Sequence, residues 1–195
     1  PQVLLSFLEK YPKNPNNEAL KDLLIDSYIT SKNYQAALEL LENNKSFENK
    51  KAYQKVTFFR GLELYNEGSY PEAVSLFQKS LKEPYDPLFT ARATYWKAES
   101  DYQASNFNES LIGYKQFLQL PNAAQTPEFL HSRYHLAYNY FKLKNYAEAI
   151  SNFELFLETS SNDAARRNDT YVRLGDSHFM SSAYWPAMEN YNKAM

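Results

Sequence analysis

Two histidines four residues apart, His131 and His135, come closest in this sequence to a chemical site. A spacing of four places both imidazoles on one face of a helix, as in many zinc sites. The residues between them are Ser-Arg-Tyr, which lack the glutamate of the metalloprotease motif, and no third ligand is evident. We therefore interpret them as surface or groove histidines and predict no metal and no other cofactor.

The other residue types used in catalysis form no recognisable group. The 195 residues contain no cysteine, which excludes thiol catalysis, disulfides and thiolate metal sites. Serine, aspartate and histidine residues show no nucleophile-and-base grouping, and there is no glycine-rich phosphate loop. We predict that this segment is not an enzyme.

A short phrase built on an aromatic residue occurs five times along the chain. One version is Lys-Asn-Tyr-Ala-Glu-Ala around Tyr146, and the central aromatic residues are separated by 36, 37, 39 and 38 residues. We call these central residues the anchors; they are Tyr34, Tyr70, Phe107, Tyr146 and Tyr184. A period in this range is typical of a stacked helical solenoid rather than of a closed enzyme core.

Each anchor has the same neighbours at fixed distances, which predicts two antiparallel helices per repeat. Mostly small residues stand nine before and three after the anchor, where the two helices would cross closely. The predicted pairs are 17–31 with 34–44, 50–67 with 71–82, 88–104 with 108–119, 125–143 with 147–159, and 165–181 with 185–195, and residues 2–10 close a preceding repeat. No segment is predicted as a strand, and exposed turns are predicted near 43–50 and 160–163.

This pattern resembles the tetratricopeptide repeat (TPR) family, in which a small residue, an aromatic anchor, an alanine and a second aromatic residue recur over about 34 residues. Arg-Leu-Gly at 173–175 and Arg-Gly-Leu at 60–62 are typical of the first helix of that repeat. The resemblance covers nearly the whole chain. It implies an all-α fold, a right-handed α-solenoid of about five antiparallel helix pairs that forms a TPR-like superhelix.

The chain departs from the TPR pattern at a few positions. Ile25 occupies a position where a small residue is expected. Phe117 and Phe156 replace the usual small residue ten positions after their anchors, which implies a wider contact with the next repeat.

We predict a single TPR-like solenoid over residues 1–195, in which residues 1–12 end a preceding repeat. The repeats are placed near 17–48, 49–85, 86–122, 123–161 and 162–195. Neither end has the polar cap expected of a terminal repeat. We therefore expect the chain to be a fragment of a longer array.

The resemblance also implies a binding surface, because TPR proteins usually bind partners on the concave face formed by their first helices. The corresponding positions lie twelve, eight and five residues before each anchor. With Trp96 beside them, the predicted protein-binding or peptide-binding groove consists of Asp22, Asp26, Phe58, Leu62, Tyr65, Tyr95, Trp96, Glu99, Tyr102, Tyr134, Tyr138 and Phe141. Aromatic residues are enriched at binding hot spots. At helical spacing they also commonly form core, so both interpretations stay open, and Leu62, Glu99 and Tyr138 are the expected direct contacts.

The predicted function is a non-enzymatic scaffold for protein–protein interaction that binds a protein or extended peptide along this aromatic groove. The carboxylate clamp of co-chaperone TPR domains is absent, since acidic or apolar residues occupy its lysine and asparagine positions. A carboxylate ligand would be repelled by Asp26 or Glu99. The alternative is a structural spacer or self-associating solenoid in a larger envelope assembly, favoured by the uncapped ends, Phe117 and Phe156.

Charge and hydropathy exclude two other classes of partner. A net charge of -2 with mixed signs provides no basic field for phosphates, so we predict no nucleic-acid partner. No apolar run approaches about 18 residues, so we predict no direct membrane insertion by this segment. The phrase at 7–12, Phe-Leu-Glu-Lys-Tyr-Pro, is similar in style to long cell-envelope TPR proteins of Gram-negative bacteria. That style favours the periplasm or cell envelope over the cytoplasm.

Overall fold

A computed structural model of the chain describes residues 1–43, 49–82, 84–159 and 163–195. These residues form eleven α-helices, and none of them belongs to a β-strand. The helices are α1 (Gln2–Lys10), α2 (Asn17–Thr30), α3 (Tyr34–Asn43), α4 (Lys50–Asn66), α5 (Tyr70–Lys82), α6 (Pro87–Gln103), α7 (Phe107–Gln119), α8 (Phe129–Lys142), α9 (Tyr146–Thr159), α10 (Ala164–Met180) and α11 (Tyr184–Ala194). The fold is an all-α solenoid of helix pairs, as predicted.

Among the described residues, the predicted helix bounds agree with the structure to within one residue except at the start of α8, and the predicted end of α3 at residue 44 lies outside them. That helix begins at Phe129, whereas the prediction began it at residue 125. Thr126 precedes a proline and is extended, with φ -92° and ψ 146°, because a residue before proline is sterically disfavoured in the helical region. Ala123–Gln125 instead forms a separate 3₁₀ turn. The turns predicted near 43–50 and 160–163 lie largely outside the described residues.

The chain divides into two compact units, residues 1–93 and 94–195. The first unit has a continuous hydrophobic core drawn from α1 to α5. Its buried members are Leu8, Leu24, Ile25, Tyr28, Ala37, Leu38, Val56 and Leu76. Ile25 is thus part of the core although it is larger than the residue expected there.

The two helices of each pair are joined by the same turn. The residue two positions before the anchor has a positive φ, between 56° and 80°, in all five cases: Lys32, Gly68, Ser105, Lys144 and Ser182. The next backbone N–H donates to the carbonyl six residues before the anchor, as in Asn33 to Tyr28 and Asn145 to Tyr140, both at 2.9 Å. These bonds are the Schellman motif, which ends the first helix and lets the second begin at the anchor.

The helices of a pair cross at small residues, as the sequence predicts. Added to Gly61, a Cβ atom would lie 2.8 Å from Cε1 of Phe77, and added to Gly113 it would lie 2.7 Å from the Cβ of Ala98. Both distances are shorter than real Cβ contacts. The two backbones of each pair can therefore approach this closely only because glycine has no side chain.

Across the described part of the chain, every helix is too short or too polar to pass through a lipid bilayer.

Candidate functional site

A pocket of about 190 Å³ lies between two first helices of the second unit. Its lining consists of Glu99, Tyr102 and Gln103 from α6 and Tyr134, His135 and Tyr138 from α8. Spacings of three and four residues place each trio on one face of its helix. The structure therefore brings together four of the residues predicted for the groove, namely Glu99, Tyr102, Tyr134 and Tyr138.

Glu99 is a carboxylate at the base of this pocket, with only 5% of its surface exposed. Its oxygens contact His135 Nδ1 at 3.0 Å and accept hydrogen bonds from Gln103 Nε2 at 3.0 Å and from the Tyr114 hydroxyl. Burial raises the pKa of Glu99, but the contact with His135 and the bonds from Tyr114 and Gln103 outweigh burial and lower the pKa to about 2. The group is therefore ionised at neutral pH.

Tyr102 forms one wall of the pocket and is half-buried. Its ring meets the ring of the anchor Phe107 edge to face, with the centroids 5.4 Å apart. Burial and the nearby negative charge of Glu99 raise the pKa of Tyr102 to about 12. The phenol is therefore neutral at physiological pH and presents both a ring and a hydroxyl.

Tyr134 and Tyr138 form the opposite wall, and α10 holds both in place. Both hydroxyls donate to Asp169 Oδ2, that of Tyr134 at 2.8 Å, and Arg173 Nε donates to the Tyr138 hydroxyl at 2.9 Å. Burial and the bond to Asp169 raise the pKa of each phenol. The guanidinium of Arg166 lies 6.0 Å from the Tyr134 ring centroid, and that of Arg173 lies 5.8 Å from the Tyr138 centroid. The two rings are thus oriented by contacts within the chain.

Three other predicted residues of the second unit lie outside the pocket lining. Tyr95 is only 4% exposed and packs against the rings of Tyr114 and Phe117, so it supports the pocket from within. The half-buried Trp96 donates its indole N–H to Glu128 Oε1 at 2.8 Å. The half-buried Phe141 meets its anchor Tyr146 edge to face, as Tyr102 meets Phe107.

The five predicted residues of the first unit line no part of this pocket. Phe58 has no exposed surface and packs edge to face against Phe59 and Phe89. Leu62 and Tyr65 are half-buried, and Tyr65 contacts its anchor Tyr70 edge to face at 5.5 Å.

The two remaining residues of the first unit are the exposed Asp22 and Asp26. Asp22 accepts a hydrogen bond from Asn49 Nδ2 at 2.8 Å, and Asp26 lies 3.8 Å from Lys55 Nζ. They contribute acidic surface to that unit.

The two histidines of the pair contact different residues. Residues 1–43, 49–82, 84–159 and 163–195 contain no group of three histidine, cysteine, aspartate or glutamate side chains that could hold a metal ion. His135 contacts Glu99 instead, while His131 packs against the ring of Phe156. Burial and the charge of Arg166 lower the pKa of His131.

Sequence analysis missed three residues that shape the site, Gln103, Asp169 and Arg173, and it had interpreted His135 only as a surface or groove histidine. Gln103 stands four positions after Glu99, a spacing that already indicates contact on a helix. Asp169 and Arg173 are also four apart, but they belong to the following helix pair. Nothing in the neighbouring sequence indicates that they bind the hydroxyls of Tyr134 and Tyr138.

The antiparallel pairs, the recurring Schellman turns and the close crossings at small residues define a helical-repeat protein with the TPR fold. Among solved structures, the chain is similar to YrrB, described as a TPR protein with an unusual peptide-binding site. The sequences are 14% identical, the match covers 96% of this chain and 90% of that chain, and the TM-score is 0.71. The sequence-based prediction of a TPR-like fold is thereby confirmed.

Two further solved structures share this architecture. MamA from Desulfovibrio magneticus RS-1, from its residue 41 to its end, is 18% identical over 91% of this chain and 92% of that chain, with a TM-score of 0.64. BtubC (BKLC) from P. vanneervenii is 14% identical over 99% of this chain and 85% of that chain, with a TM-score of 0.65. No protein-family profile and no curated protein sequence matches the chain. At these identities the similarity concerns the fold alone.

Proposed function

We propose that the chain is a non-enzymatic scaffold for protein–protein interaction and that it binds a protein segment or extended peptide at the pocket between α6 and α8. The observation that carries the proposal is the pocket itself, in which three tyrosine rings and one buried carboxylate converge. Tyrosine supplies a large contact area with few rotatable bonds, so ordering it on binding costs little entropy.

Preorganisation of the pocket supports this proposal. The hydroxyls of Tyr134 and Tyr138 are bound by Asp169, and the ring of Tyr102 rests against Phe107. A ligand therefore meets rings that are already oriented, which reduces the cost of binding. The shared fold of YrrB, described as having a peptide-binding site, is consistent with a scaffold of this kind.

The proposal can be tested with peptides selected on the wild-type chain from a random 12-residue display library. Their affinities are then measured by fluorescence polarisation for wild type, Tyr102→Ala and Tyr65→Ala. Tyr65 is a matched control, since it has the same repeat position and the same edge-to-face contact with its anchor but lies outside the pocket lining. We expect Tyr102→Ala to raise Kd by about tenfold or more and Tyr65→Ala to leave it nearly unchanged.

Circular dichroism of all three chains separates loss of binding from loss of fold. Equal affinity of wild type and the folded Tyr102→Ala variant would move the binding surface away from this pocket. Failure to enrich any peptide would count against the scaffold proposal as a whole.

A structural spacer or self-associating solenoid is the second candidate, and exposed apolar side chains on the last helix pair favour it. Phe179, Met180, Tyr184, Trp185 and Met188 are all exposed, and Trp185 retains 69% of its surface. Phe117 and Phe156, which favoured this alternative in the sequence, have no exposed surface and offer no contact to a second copy.

Sedimentation velocity over a range of concentrations tests self-association. A dimer that Trp185→Lys abolishes would support the second candidate. A monomer at all concentrations would argue against it.

A further inference from the structure

The pocket between α6 and α8 combines one negative charge with several ring faces. Of its six lining residues Glu99 is the only acid, and its carboxylate is ionised at neutral pH. The phenols of Tyr102, Tyr134 and Tyr138 supply the aromatic surface. The faces of aromatic rings are the negative ends of their quadrupoles and attract cations.

The chain itself places cations against these rings. Arg166 lies over Tyr134 and Arg173 lies over Tyr138, at about the distance limit of a cation–π contact. The charge of each arginine is matched by an acid three residues away: Arg166 pairs with Asp163 at 2.5 Å, and Arg173 pairs with Asp176 at 2.7 Å. The two arginines therefore add little net positive charge that would oppose a cation inside the pocket.

We propose that the pocket receives an organic cation, the ammonium or guanidinium group of one lysine or arginine side chain in the bound segment. This inference rests on the proposed scaffold function, because the cation belongs to the segment that the scaffold binds. The volume of about 190 Å³ fits the proposal, because pockets for whole small molecules generally enclose roughly 300 to 1,000 Å³. One side chain is therefore the appropriate size of occupant.

Charge complementarity selects a cation over the other side-chain classes. A carboxylate entering the pocket would face Glu99 and be repelled at short range. A neutral aliphatic chain would fill the same volume but gain nothing from the carboxylate. The cation gains from Glu99 and from the ring of Tyr102, which meets the Phe107 ring edge to face and lines the pocket.

The test uses n-butylammonium, which reproduces the end of a lysine side chain, and 1-butanol as its neutral counterpart of the same size. Both are titrated at pH 8 and constant ionic strength into the whole chain labelled with ¹³C in its tyrosine and histidine rings. We expect saturable shifts at Tyr102, Tyr138 and His135 with n-butylammonium and about tenfold weaker binding of 1-butanol.

Two variants distinguish the contributions of charge and ring. Glu99→Gln should weaken n-butylammonium binding by about tenfold and leave 1-butanol unchanged, since the amide retains the shape but not the charge. Tyr102→Leu should weaken it by about fivefold, while Tyr102→Phe, which keeps the ring face, should bind like wild type. The Tyr102 pair tests the same site without altering the buried hydrogen bonds of Glu99.

Equal binding of n-butylammonium and 1-butanol by the wild type would overturn the proposal, as would saturable binding that neither Glu99→Gln nor Tyr102→Leu weakens. The result also separates this inference from the scaffold proposal. Enriched peptides that need Tyr102 but contain no lysine or arginine would leave the scaffold standing and refute the cation pocket. Specific n-butylammonium binding without any enriched peptide would support the cation pocket and count against the scaffold proposal.

Discussion

The two compact units place different chemistry at the same repeat position. Twelve residues before the anchor, one repeat of the first unit has Phe58 and one repeat of the second has Tyr134. Phe58 is completely buried among other phenylalanine rings, whereas Tyr134 is half-buried, with its hydroxyl bound to Asp169 and its ring facing the pocket. The repeat determines where a ring lies, and the polarity of the side chain and its neighbours decides whether the ring becomes core or site.

Carboxylates eight residues before the anchor show the same contrast. Asp26 in the first unit is exposed and has a lysine nitrogen 3.8 Å away. Glu99 in the second unit is buried and surrounded by donors from α6, α7 and α8. An exposed ion pair is worth little in water, while a buried carboxylate is stable only because its hydrogen bonds are satisfied.

The largest expected change in the free energy of unfolding comes from substituting Phe58, which tests whether this ring belongs to the hydrophobic core. Phe58→Ala should lower the free energy of unfolding by about 4 kcal/mol, because it removes a fully buried ring and leaves a cavity. Phe58→Leu, the control, should cost about 1 kcal/mol, since it keeps most of the volume. Tyr134→Phe at the equivalent position should also cost about 1 kcal/mol for its hydrogen bond. Urea unfolding followed by circular dichroism measures all three, and a loss below about 1 kcal/mol for Phe58→Ala would contradict the comparison.

The next effect concerns pH and Glu99. Its pKa in the folded chain is about 2, below its ordinary value of 4.5, so the native state binds fewer protons than the unfolded state between these values. The stabilisation is therefore complete above about pH 4.5 and is lost as the pH falls toward 2. The lowering from 4.5 to about 2 corresponds to a stabilisation on the order of 3 kcal/mol.

Urea unfolding of wild type and Glu99→Gln at pH 5.5 and pH 2.5 measures this contribution. Acidification should destabilise the wild type more than the variant, because the amide side chain of the variant cannot be protonated in this range. Other carboxylates affect both chains and cancel in the difference. Parallel losses in the two chains would show that Glu99 has an ordinary pKa.

The smallest expected effect concerns the turn that the two units share. Gly68 in the first unit and Lys144 in the second both have positive φ, at 80° and 62°. Gly68→Ala should cost about 1 kcal/mol from backbone strain alone, because no atom lies within 4 Å of an added Cβ. Lys144→Gly should change stability by less than about 0.5 kcal/mol, since relief of strain is offset by a more flexible unfolded chain. Thermal unfolding measures the stability of both variants. If Gly68→Ala does not lower stability, the result would argue against a left-handed backbone conformation at Gly68.

Much of the fold could be predicted because it depends on local and periodic signals. The anchors and their small neighbours recur, so errors at one repeat are corrected by the other four. The start of α8 was mispredicted because the pattern was extended through Thr126 and Pro127, where local sterics favour an extended residue. The shared Schellman turn escaped notice because only Gly68 among the five turn residues is a glycine.

The candidate site was only partly predictable. Twelve, eight and five residues before an anchor, the sequence places side chains on one helix face, and four of the predicted residues do meet in the pocket. Whether a predicted ring is exposed or buried depends on neighbours from other helices, as the burial of Phe58 and Tyr95 illustrates. The binding role of the groove residues stays a proposal.

By itself, the sequence determined that the chain is a helical repeat, where its helices lie and which face of each first helix carries the aromatic residues, because periodicity is a property of the chain. Only the tertiary structure decided that Glu99 is buried and ionised, that His135 contacts it, and that Asp169 and Arg173 orient two tyrosines. These contacts join residues about 30 to 36 positions apart, and their energies arise from burial and hydrogen bonding that exist only when the helices pack.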